Sequence, residues 1–229
     1  MSRWKTLAAA AVWAALGLTS LAAKAQFTTQ APIGSLRDLS ILKPPAGSKV
    51  AIVVFEDLGC PHCAAAHPVE LATAAKFHVA IERHDTPIPS HIWTYQAALY
   101  ARYIQTKISP QLAADYRNDI FANQMRISGK DDLLHFTQAW LQHHGKQLPA
   151  NVDPDGSLAK AIQADIDLAR RINVEWTPTI IVVTATKQQV VSGSGARGDQ
   201  VDQLPQITAA ALAQASATSA HPSAPRGGR

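Results

Sequence analysis

The chain has 229 residues, 47% of them hydrophobic and 17% charged, with 21 Lys and Arg against 17 Asp and Glu. That length fits one substantial domain or a cramped pair, and the composition excludes wholesale disorder. Two cysteines can form only one bridge, which excludes a disulfide-stapled miniprotein.

The net charge of +4 would suit nucleic acid or an anionic membrane if it lay in the folded part. It does not: Arg3, Lys5 and Lys24 sit in the first 25 residues and Arg226 and Arg229 near the end. Residues 26–214 carry 16 basic against 17 acidic groups, so no nucleic-acid partner is expected. Arg3 and Lys5 precede an uncharged apolar run, Leu7 to Leu18, and small residues ending in Ala23-Lys24-Ala25. This is the layout of a secretory signal peptide, residues 1–25, cleaved after Ala25. An uncleaved anchor is the alternative, but the Ala-dominated run falls short of the ~20 strongly apolar residues a spanning helix needs. The mature protein is expected outside the bacterial cytoplasm, in the periplasm or beyond.

Residues 26–48, with Pro32, Pro44, Pro45 and Gly47, read as an arm. Val50 to Phe55 is an unbroken β-branched and aromatic run, the pattern of a strand buried on both faces. Glu56 to Gly59 then turns into Cys60-Pro61-His62-Cys63 and an Ala-rich helix to about Lys76, with Pro61 suited to the first helical position. Phe77 to Arg83 reads as a second strand. Ile92, Tyr95, Leu99 and Tyr103 recur at helical spacing, as do Leu133, Phe136, Trp140 and Leu141, and core is the simplest place for their aromatics. Ser128 with Asp131 marks a helix entry, Gly145 an exit, and Ser157 a cap for a helix carrying Leu158, Ile162, Ile166 and Ala169. Ile180 to Val183 and Gln188 to Val191 read as two more strands, and a helix over about 199–214 closes the domain. Residues 215–229, rich in Ala, Ser, Pro and Gly, are expected to be a disordered tail. The order predicts one α/β domain over 49–214, with an all-helical insertion at about 90–173 between the second and third core strands.

Cys60 and Cys63 close a loop of only two residues, too short to stabilise much by restraining the unfolded chain. They suit a reversible dithiol better than a staple. At a helix start, free N–H groups and the dipole favour a negative charge on Cys60, and the thiolate is the form that attacks disulfides. His62 offers a further donor or partial positive charge. Cys63, one turn along, is expected to be more buried and to remain a thiol until it attacks a mixed disulfide. A stabilised Cys60 thiolate stabilises the reduced form, which makes the disulfide the stronger oxidant. Two other readings remain open: an inert bridge, and half a zinc site using Cys60, Cys63 and His67. The zinc site lacks a fourth ligand, so no metal is expected. No H-E-x-x-H, phosphate loop or G-x-S-x-G is present, and no cofactor is expected. His84 and His91 flank a turn that could border the site, although solvated loop positions are the safer reading.

Phe55 to Cys63 resembles the active site of DsbA-like thiol:disulfide oxidoreductases, members of the thioredoxin-fold superfamily. Arg83 to His91 is similar to the strand-to-insertion junction of exported members, and Val174 to Thr179 to the segment carrying the family's cis-proline. The resemblance implies a thioredoxin-like α/β fold, with Cys60 as the attacking cysteine and Cys63 as the resolving one. It implies that Pro61 and His62 tune the redox poise, that Pro178 is cis beside the disulfide, and that the Thr177 backbone pairs with an extended substrate. The implied partners are reduced or disulfide-containing polypeptides and a membrane redox partner that recycles the dithiol. No dimerisation region precedes the domain, which favours a monomeric oxidase over an isomerase. The chain departs from the family at Val54, where many relatives hold a buried acid, and at Trp176, which is groove or core. Glu56 and Asp57 are the nearest acids to Val54. An exported reductase on the same fold and a non-catalytic binding module are the competing functions.

Overall fold

The computed structural model describes residues 36–192 and 200–220. The expected signal peptide, residues 26–35 of the arm, residues 193–199 and the last nine residues lie outside this range. Strand β1 (Val50–Glu56) is buried along its whole length, as a β-branched run with no polar face requires. It lies at the centre of a four-stranded sheet ordered β2-β1-β3-β4, with β2 at Ala80–Asp85, β3 at Thr179–Thr184 and β4 at Gln188–Ser192. β2 runs parallel to β1, β3 antiparallel to β1, and β4 antiparallel to β3.

Alternate β1 residues serve two cores. Val50, Ile52 and Val54 pack with Ile180, Val182 and helices α1 (Pro61–Phe77) and α6 (Leu204–Ala220). Ala51, Val53 and Phe55 pack with Ile181, Val183 and the end of α5 (Ser157–Arg171). A third core fills the insertion and reaches the cysteines, built from α2 (Thr94–Tyr103), α3 (Pro110–Asn123) and α4 (Lys130–His143). The fold is the thioredoxin-like α/β sheet with an all-helical insertion between its second and third strands.

Several boundaries differ from expectation. α1 runs on to Phe77 and closes with His78 in the left-handed region (φ 51°), so β2 starts at Ala80 and extends to Asp85. Ser157 is the first residue of α5 and not its cap; the Asp153 carboxylate accepts from Leu158 N (2.9 Å) and Ala159 N (2.8 Å) instead. Residues 215–220, expected to be disordered, continue α6, because alanine is the strongest helix former and nothing in that stretch stops the helix. Tyr95, expected in the core, is 43% exposed, and Ile92 is 63% exposed.

Candidate active site

Cys60 is the N-cap of α1, in extended conformation, with Pro61 at the first helical position. The turn before it is held from within: Cys60 N donates to Asp57 O (3.0 Å), and Gly59 N to Asp57 Oδ1 (2.7 Å). It is also held by the insertion. The fully buried Asp57 carboxylate accepts from Ile88 N (2.5 Å) and Thr94 Oγ1 (2.9 Å), and pairs with His91 Nδ1 (3.0 Å). From the far side, Gln124 Nε2 donates to Leu58 O (3.2 Å) and Cys60 O (3.4 Å). A side chain at Gly59 would meet Thr94 Cγ2 at 2.5 Å, so the close approach of turn and insertion requires glycine there.

Cys60 and Cys63 lie 3.6 Å apart, both reduced and buried. A hydrogen bond from the Cys63 thiol is the main cause that lowers Cys60 from 9.0 to about 5, against the opposing effect of burial. Thr177 and the backbone at Cys63 and His62 add to it. The contribution at His62 is thus a backbone one, in place of the imidazole the sequence suggested. Cys63 moves the other way: burial and the neighbouring Cys60 push its thiol well above 9.0. The pair is therefore asymmetric, with one sulfur ready to ionise and the other held as a thiol.

Thr177–Pro178 is a cis peptide bond, and Thr177 O accepts from Cys60 Sγ (3.3 Å). A groove of about 830 Å³ opens beside Cys60. Its walls include Pro87, Ile88, Ile92, Tyr95, Trp176 and Thr177. Trp176, half-exposed, is a groove residue rather than core, and Ile92 and Tyr95 are exposed because they face the same space.

His84 and His91 are not solvated loop histidines. His84 lies on β2, stacks on Phe55 (4.7 Å) and pairs with Asp165 (2.7 Å), while His91 is fixed by Asp57. Val54 is core, as its side chain dictates. The nearby acid on the same strand face is Glu56, buried and accepting from Arg83 and from Arg117 Nη1 (2.9 Å). His67 lies among acids rather than completing a site with the cysteines. Ligand atoms of Glu56, His67 and Glu70 lie within 4.8 Å of one another, but Arg83 bonds both carboxylates and supplies the positive charge a cation would bring. The Asp57 and Gln124 contacts were missed from sequence, as was the buried set around Glu56; a charged residue ending an otherwise apolar strand was the available signal.

The family model described as Thioredoxin matches residues 46–189. No curated protein sequence matches. Among solved structures, a cysteine-substituted form of alpha-DsbA1 of Wolbachia pipientis superposes with a TM-score of 0.60 at 13% identity, over 78% of this chain and 97% of that one. Oxidised BdbD of Bacillus subtilis gives 0.58 at 18% identity, over 75% and 91%. ScsC of Proteus mirabilis, in a transitional conformation, gives 0.56 at 17%, over 75% and 71%. These likenesses are of fold. With the family match spanning most of the sheet, the cysteine pair and the insertion, the chain belongs to the thioredoxin family.

Proposed function

We propose that the protein is an exported thiol:disulfide oxidoreductase that oxidises protein dithiols through Cys60 and Cys63. The observation that carries this reading is the asymmetric pair: Cys60 lowered to about 5 at a helix start, with Cys63 kept as a thiol 3.6 Å away. A substrate thiolate attacks Cys60 of the disulfide, and Cys63 leaves. A second substrate thiol then attacks the substrate sulfur of the mixed disulfide, forms the substrate's own disulfide and releases Cys60 as a thiolate. The low pKa of Cys60 makes it a good leaving group and stabilises the reduced enzyme, which drives the exchange toward oxidised substrate. Thr177, beside the sulfur, is the backbone on which an extended substrate would pair, next to Pro178. Pro61 starts the helix that lowers Cys60, and His62 contributes through its backbone. A membrane partner returns the dithiol to disulfide, and the enzyme works as a monomer after removal of residues 1–25.

The deciding measurement is the reduction potential of the Cys60–Cys63 couple, read against glutathione. A value well above that of thioredoxin, about −270 mV, is expected; a value at or below it would assign the protein as a reductase. Expression of Cys63→Ala in the export compartment should trap polypeptides on Cys60. If Cys60→Ser leaves the cellular function intact, the protein is a binding module and the redox reading fails.

A further inference from the structure

Among the described residues five large hydrophobic side chains are exposed, and three of them, Ile92, Tyr95 and Trp176, line the groove beside Cys60. Scattered singly, such side chains carry no message; gathered in one concavity, they mark apolar surface that a ligand covers. Two segments build the walls. Pro87, Ile88, Pro89 and Ile92 come from the loop between β2 and α2, which Asp57 ties to the turn before Cys60 through Ile88 N and His91 Nδ1. Trp176 comes from the segment before β3, where its carbonyl accepts from Thr179 Oγ1 (2.7 Å). The next residue, Thr177, accepts from Cys60 Sγ through its own carbonyl (3.3 Å). Both walls are thus fixed before a ligand arrives, which lowers the ordering cost of binding. The charged side chains on the groove, Arg170 and Glu175, are opposite in sign, so neither sign of ligand is favoured.

We propose that this groove is a specificity site, taking a bulky apolar side chain, aromatic above all, two residues from the substrate cysteine, with Trp176 setting the preference. The proposal rests on the thiol–disulfide reading, with an extended substrate on the Thr177 backbone. In an extended chain alternate side chains share a face, so the residue two away turns the same way as the cysteine, about 7 Å along. The substrate sulfur must meet Cys60, and Cys60 and Trp176 line the same groove. The side chain two residues on therefore enters among Trp176, Ile92 and Tyr95, while the residue next to the cysteine points away. A ring laid against the indole gains buried area and an offset or edge-on aromatic contact. That contact is made equally before and during sulfur transfer, so it tightens binding and leaves the limiting rate alone.

The test uses oxidised full-length protein in excess over reduced dithiol peptides of equal charge, in single turnover. The peptides place Phe or Gly one or two residues outside a cysteine, on its N-terminal or its C-terminal side. At low protein concentration, Phe two residues away should speed oxidation about 10-fold over Gly on one of the two sides, through a lower half-saturation. Phe one residue away should give no gain. Trp176→Ser should bring the Phe-to-Gly ratio close to one, and Trp176→Phe should keep it. Each ratio compares two peptides on one protein, so a shifted reduction potential cancels. Equal rates for the Phe and Gly peptides, an equal gain from the adjacent position, or a ratio that survives Trp176→Ser overturns the specificity site alone. A wild-type protein that oxidises none of the peptides overturns the oxidoreductase reading with it. Should Trp176→Ser not fold, Ile92→Ser decides, since Ile92 is exposed in the turn before α2. The ratio should fall there too; an unchanged ratio overturns the proposal.

Discussion

A cysteine lowered from 9.0 to about 5 changes both what the protein does and how its stability depends on pH. In the reduced protein the folded Cys60 is the stronger acid, so its contribution to stability is complete above the unfolded value of 9.0. It shrinks as pH falls and is gone once pH has passed below about 5. At pH 7 the stabilisation of the thiolate is on the order of 2 kcal/mol, which moves the couple on the order of tens of millivolts toward the oxidising side. Cys63, raised, stays a thiol across this window. Thiolate absorbance of the reduced protein should therefore show one step near 5, and the gap in melting temperature between reduced and oxidised forms should shift toward the oxidised form on acidification through that step. A titration of Cys60 at its ordinary value would remove the basis for the oxidase direction. Gly59 is the other residue on which the site depends. Gly59→Ala drives a methyl against Thr94 Cγ2 and should cost about 1–3 kcal/mol in urea unfolding. The companion change Thr94→Ser, which removes the opposing methyl and keeps the hydroxyl bonded to Asp57, should recover part of that loss.

At the level of elements, the turn between β1 and α1 is held by two segments of the insertion, the loop leading into α2 and the short helix Gln124–Arg126. Asp57→Ala leaves the N–H groups of Gly59 and Ile88 without their acceptor and His91 Nδ1 without its partner, while the Thr94 hydroxyl keeps only His91 O. A loss of about 3 kcal/mol or more is expected, since each buried unmade bond costs about 1–3 kcal/mol. Limited proteolysis should at the same time open the 86–93 loop before the sheet; cleavage elsewhere first would show that Asp57 does not tie that loop down. The sequence disclosed what local rules govern: β1 from its unbroken apolar run, the start of α1 from Pro61, the end of α4 from Gly145. Ser109-Pro110 was a legible cap that went unread, with Ser109 Oγ accepting from Leu112 N (3.2 Å). The spacing of Ile92, Tyr95, Leu99 and Tyr103 predicted one helical face; Ile92 lies in the turn before α2, and nothing local says whether Tyr95 meets a core or a groove. The Asp57 and Gln124 contacts span 31 to 66 residues of chain, and no periodicity encodes a partner at that distance.

For the molecule as a whole, one buried set of charges joins the insertion to the sheet. Arg117 of α3 reaches Glu56 of β1 and Asp85 of β2, and Arg102 of α2 reaches Asp85 (2.5 Å) and Asp165 of α5. Such pairs need not stabilise relative to an apolar core, but removing one member leaves the others short of a partner where water does not reach. Arg117→Met should therefore cost about 3–5 kcal/mol, and Arg117→Met with Asp85→Asn less than the sum of the two singles, because each removes part of what the other leaves unpaired. The acid limb supplies a sharper check. Burial alone would raise the Asp85 carboxyl, yet Arg117 and Arg102 outweigh it and hold it below 3.8. A carboxyl lowered on folding gives stability that is present above its unfolded value and lost as pH falls through the folded one. Without Arg117 the folded value rises, so acid unfolding followed by circular dichroism should begin at higher pH in Arg117→Met than in the wild type. Equal acid midpoints would mean that the Arg117 pairs do not help to hold the insertion on the sheet. The charges beneath the cysteines would then owe their place to the site they surround rather than to the stability of the fold.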